Sequence, residues 1–131
     1  MSRSLAPGVA VAEPLVLDEP LSFWGGVDPA TGLIVEPSHP QYGESVAGRV
    51  VVMPHGRGSS SSSSVLAELL RQGVGPAAIV LREPDSILAI GALVAAELYG
   101  TVCPIVVTAE DPGPGPWVVD GDGAFVLGGQ L

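Results

Sequence analysis

With 131 residues, 47% of them apolar, the chain suits one compact domain built round a single core. Fourteen acidic residues face five arginines and no lysine, and the net charge of -9 argues against nucleic acid or an anionic membrane as a partner. Cys103 is the only cysteine, which rules out an internal disulfide and a thiolate cluster able to hold zinc or iron and sulfur.

The start of the chain, with Arg3 followed by Pro7, Gly8, Glu13 and Pro14, lacks the continuous apolar core of a signal peptide, so the expected location is cytoplasmic. Runs at 9–12, 14–17 and 49–53 are bounded by Gly and Pro and predict brief strands. Between them, the paired glycines and Asp-Pro step of 24–32 predict a tight loop, followed by a polar connection over 36–45. Next come Pro54-His55-Gly56-Arg57-Gly58, six serines from Ser59 to Ser64, and an apolar helical pattern from Val65 to Gly73. That order predicts strand, glycine turn and helix, with Gly73 as the stop. Polyserine also serves as flexible linker, but this run sits mid-chain and the helical pattern follows it without a gap.

The second half alternates more regularly, with a strand over 77–81, a helix over 85–99 and a parallel strand over 104–108, a βαβ crossover. Its longest apolar stretch, 87–96, is about half of the ~20 residues a membrane span needs and predicts a buried helix. Residues 111–116 form a loop, and 117–120 with 124–127 flank Gly121-Asp122-Gly123 as a closing hairpin. No internal repeat is evident. The expected architecture is a single α/β domain over 1–131 with a mixed or barrel-like sheet and two main helices.

The chemistry concentrates at the serine run. Hydroxyls at a helix start cap free backbone N–H groups, glycines let the backbone approach a bound group, and Arg57 adds a permanent cationic fork, so the residues predict an anion-binding pocket. The spacing is not that of the phosphate-binding loop of nucleotide triphosphatases, and Gly58-Ser59-Ser60 lacks the second glycine of a hydrolase nucleophile elbow. Gly25, Gly26 and Asp28 read equally as a pocket rim or as turn formers. His39 and His55, beside prolines, are expected at the surface; Cys103 as a small buried apolar residue; Asp120 and Asp122 in the hairpin turn. From these residues alone, a non-catalytic anion-binding module stays open beside an enzyme.

The order of several segments is more specific. Ser22-Phe23-Trp24-Gly25-Gly26-Val27-Asp28 with Thr31-Gly32, then His39-Pro40, Gly43-Glu44-Ser45-Val46-Ala47-Gly48-Arg49, and Gly56-Arg57-Gly58-Ser59-Ser60-Ser61 with Ser63, Val65 and Leu66 closely resemble the swivelling domain of aconitase X proteins, from near the start to Leu127. The resemblance implies a swivelling β/β/α fold. It also implies a hydro-lyase assembled from this small chain and a large aconitase-like one that holds the iron or iron–sulfur cluster. The substrate would be a small anionic or zwitterionic hydroxy acid.

By the same resemblance Ser59 corresponds to the family's proton acceptor, and Arg57, Ser60 and Ser63 are candidates for substrate contact. A serine hydroxyl is a poor base in water. It serves as one only if its alkoxide is stabilised by helix-start amides and a cation, which Gly58, the following serine amides and Arg57 are placed to supply. Ser62 and Ser64 stand where many relatives carry glycine and an aromatic, and the resemblance gives them no role. Between cis-3-hydroxy-L-proline dehydratase and phosphomevalonate dehydratase, the former is expected, from the loop His39-Pro40-Gln41-Tyr42 and the stretch Leu81-Arg82-Glu83-Pro84-Asp85.

Overall fold

The computed structural model describes residues 2–127; the single-domain assignment over 1–131 extends past these at both ends. Three apolar runs, buried throughout except for the half-buried Val107, form adjacent parallel strands: β4 (Val50–Met53), β5 (Ala78–Leu81) and β6 (Ile105–Val107). β3 (Pro14–Val16) adds in parallel beside β4, and β1 (Arg3–Ala6) pairs antiparallel with β6. The order β1-β6-β5-β4-β3 is a mixed sheet with β1 and β3 at its edges. The barrel-like alternative is therefore corrected, since the end strands β1 and β3 do not pair with each other. A second, antiparallel sheet contains β2 (Ala10–Ala12), β7 (Trp117–Asp120) and β8 (Gly123–Val126), with the expected hairpin joining the last two.

Alternation along the central strands assigns the layers. Val51, Met53, Ile79, Leu81 and Ile105 face one side and pack with Leu66, Leu69 and Leu88 from α2 (Ser62–Gln72) and α3 (Ser86–Tyr99). Val50, Val52, Ala78, Val80 and Val106 face the other and pack against Trp117, Val119 and Ala124. The result is sheet on sheet on helices, and runs apolar on both faces are what a doubly covered sheet demands.

The helices start and stop where local chemistry dictates. Asp85 Oδ1 accepts from the N–H groups of Ile87 and Leu88, at 2.9 and 3.1 Å, which fixes the start of α3. Gly73 and Gly100 end α2 and α3 in the left-handed conformation. The two helices meet where Gly91 abuts Ser63: a Cβ on Gly91 would lie 2.6 Å from the Ser63 carbonyl oxygen. α3 is not buried all round as expected from 87–96. Ile90, Leu93, Val94 and Leu98 are exposed, because α2 and the sheet cover only one side of it. Among the described residues no helix is long and apolar enough to cross a membrane.

Cys103, just ahead of β6, is buried, and burial pushes its thiol from the ordinary 9.0 up to about 12. The fold thus favours the neutral thiol. Its contribution is intact below pH 9 and is lost as pH climbs toward 12, because the unfolded chain ionises first. A thiol reagent at pH 8 is expected to label the native chain only as fast as the fold opens; labelling as rapid as in denaturant would contradict this burial.

Candidate functional site

The serine run is the start of α2, not a linker. After β4, Gly58 adopts φ +106, and a Cβ there would run into the Ser22 hydroxyl, so only glycine lets the chain turn this close to the 21–26 segment. Ser59 and Ser60 then form a turn ahead of the helix: their carbonyls accept from the N–H groups of Ser62 and Ser63 at 3.0 and 3.2 Å. Ser59 Oγ accepts from the Ser61 N–H at 3.2 Å and is otherwise exposed. The hydroxyl oxygen therefore already faces one of the amides that would stabilise it as an alkoxide.

Beside it lies a cavity of about 160 Å³ lined by Leu21, Gly56, Arg57, Gly58, Ser59, Ser62, Asp85, Ile87 and Leu88. Of the expected site residues, the structure brings Arg57, Gly58 and Ser59 together here. Ser60 is exposed and presents its carbonyl to Ser63, whose hydroxyl donates to it at 2.9 Å. Ser63 lies instead in the groove between α2 and α3, beside Ile90 and Gly91. Gly25 lines a neighbouring groove of about 400 Å³ with Trp24, Val35 and Val65, while Gly26 is buried near Leu21 and the Glu36 carboxylate. These two glycines sit in the short segment α1 (Phe23–Gly26), where Trp24 and Gly25 leave helical φ/ψ and Gly25 takes φ +81, so the backbone here is the tight turn expected of paired glycines.

Three residues of this region carry weight that the sequence did not reveal. Glu36 receives the Arg57 Nη2 on both carboxylate oxygens, at 2.8 and 2.9 Å, with Arg57 43% and Glu36 25% exposed. Asp85, besides capping α3, has its Oδ2 against Gly56 in the cavity wall. Arg57 thus pairs with Glu36 while the Asp85 carboxylate lines the cavity, so the anion pocket expected from Arg57 carries negative charge in its wall. Ser62 is buried and accepts the Trp24 N–H at 3.2 Å, tying α1 to α2. Neither Glu36 nor Ser62 is marked by a local motif; a long-range pairing signal would have been needed.

His39 is not at the surface as expected. It is buried, with Nε2 3.1 Å from the Glu19 carbonyl and Nδ1 accepting from the Gln41 N–H at 3.0 Å, so the ring staples the 36–45 connection to the chain after β3. His55 is exposed, its Nδ1 2.7 Å from the Gly56 carbonyl. Among the described residues no three His, Cys, Asp or Glu side chains gather as metal ligands, and the buried, neutral Cys103 thiol does not fit ligation. The residues here do not fit an iron site within this chain.

The family profile described as aconitase X swivel domain matches residues 1–124. Cis-3-hydroxy-L-proline dehydratase of Pseudomonas aeruginosa is 46% identical over 95% of the chain, which spans only 22% of that relative's length. The phosphomevalonate dehydratase small subunit of Methanosarcina mazei is 38% identical over 98% of this chain and 84% of its own. A crystal structure of aconitase X from Thermococcus kodakaraensis, in its holo form, superposes with a TM-score of 0.83 at 32% identity, covering 96% of this chain and 95% of that one. The three-layer fold, the glycine turn before α2 and the match along almost the whole sequence agree, and the chain belongs to the aconitase X swivel-domain family.

Proposed function

We propose that this chain supplies the proton-accepting serine, Ser59, to a hydro-lyase site shared with a larger aconitase-type chain that holds the iron or iron–sulfur centre. The reading is supported above all by Ser59 lying at the cavity mouth with its oxygen toward the Ser61 amide and Arg57 in the same turn. In the step, Ser59 as alkoxide takes a proton from carbon, the C–H electron pair becomes the new C=C bond, and the hydroxyl on the adjacent carbon departs with its own pair. Ser59 ends protonated. This chain's part is to hold the base and to shape the wall that excludes water.

The larger chain covers the exposed loops around Gly25 and Ser59, where Trp24, 58% exposed, offers an apolar anchor. Cis-3-hydroxy-L-proline dehydratase is the favoured activity, on the identity shared over 95% of the chain with the Pseudomonas relative. Phosphomevalonate dehydratase is the second reading, favoured by the Methanosarcina mazei small subunit, 84% of whose length this chain spans. The cytoplasm is the proposed compartment. Purified alone, the chain is expected to be inactive; mixing it with a candidate large chain restores dehydration, assayed with hydroxyproline isomers and phosphomevalonate. Turnover by the isolated chain sinks the shared-site reading.

A further inference from the structure

Asp85 spends only one of its two carboxylate oxygens on the α3 cap. Oδ1 takes both α3 amides, whereas Oδ2 projects against Gly56 into the cavity and has no hydrogen-bond partner among the described residues. The two amides prevent the carboxylate from turning away. Leu21, Ile87 and Leu88 line the same cavity, and this apolar surround strengthens a charge-matched contact there. Arg57, the cation in the cavity lining, forms no salt bridge with it and gives its Nη2 to Glu36.

We infer that Asp85 determines specificity: its free oxygen receives the ammonium nitrogen of an amino- or imino-acid substrate, while the remaining guanidinium donors of Arg57 receive the substrate carboxylate. The inference rests on this cavity being the site of proton abstraction, and it names the substrate class as zwitterionic. A phosphorylated hydroxy acid would instead bring a dianion up to a fixed carboxylate, at an electrostatic cost.

The test uses the assembled two-chain enzyme with L-proline and its nitrogen-free counterpart cyclopentanecarboxylate as probes, read by calorimetry. Wild type should bind L-proline at least about tenfold more tightly than cyclopentanecarboxylate. Asp85→Asn keeps a side-chain acceptor for the α3 cap, so melting temperature and assembly should hold. In that variant the L-proline Kd and the KM for hydroxyproline should rise about tenfold or more, kcat should change less, and cyclopentanecarboxylate binding should stay as it was. Equal binding of the two probes by wild type, or an L-proline Kd unmoved by Asp85→Asn, overturns the role of Asp85 and leaves the role of Ser59 standing. An assembly that ignores L-proline and dehydrates phosphomevalonate overturns both this inference and the favoured activity.

Discussion

Replacing Ser59 with alanine should lower turnover of the assembled enzyme by about a hundredfold or more, while assembly and substrate binding persist. Among the described residues Ser59 Oγ makes one hydrogen bond, accepting from the Ser61 N–H, and losing such a cap-like contact costs about 0.5–2 kcal/mol of stability, which a domain of this size survives. A base and a cap are thus separated by comparing kcat with melting temperature. Ser64→Ala is the matched control, because Ser64 is exposed and makes no side-chain hydrogen bond among the described residues. Ser62 does not serve for this purpose. Its buried hydroxyl holds the Trp24 amide, and Ser62→Ala would leave that donor unpaired and loosen α1 from α2. Near wild-type kcat in Ser59→Ala would move the base to another serine of the run or to the larger chain.

Trp117→Ala should destabilise the chain by about 3–5 kcal/mol, a large share of the ~5–15 kcal/mol typical of a domain. Trp117 is 1% exposed, fills the space between the two sheets with Val50, Val52, Val80 and Val106, and donates its indole N–H to the Gly113 carbonyl at 2.7 Å. The deletion leaves a void between two layers whose backbones cannot collapse onto it, and it frees the 108–116 connection from β7. Denaturant unfolding followed by circular dichroism measures the loss. A change below about 1 kcal/mol would show that the sheet-on-sheet core does not depend on this side chain.

The parts of the fold legible in the sequence are those where one signal is local and strong. The 50–53, 78–81 and 105–107 strands lie within unbroken apolar runs, and α3 lies between its Asp85 cap and Gly100. β1 was missed because Arg3 and Ser4 give it no apolar alternation; it forms by pairing with β6 a hundred residues away. At the site, the glycine turn and helix start at 56–62 were legible, but six identical serines concealed that Ser62 alone is buried. Glu36 meets Arg57 across 21 residues, and His39 is buried by segments on both sides, so neither could be placed without the tertiary fold. In each case a contact distant in sequence overrode the local reading.

The pairing of β1 with β6 and of β2 with β7 also sets the order in which the molecule can form. Residues 3–12 find their partners only at 105–119, so closing these rungs means joining segments about a hundred residues apart, an entropically costly and slow event. Early structure must instead come from what is near at hand: the β3 to β5 parallel unit with α2, and the β7–β8 hairpin. During synthesis the first dozen residues leave the ribosome long before their places in either sheet exist, and until the last hairpin is made the sheet face lined by Val50, Val52, Ala78 and Val80 has no cover.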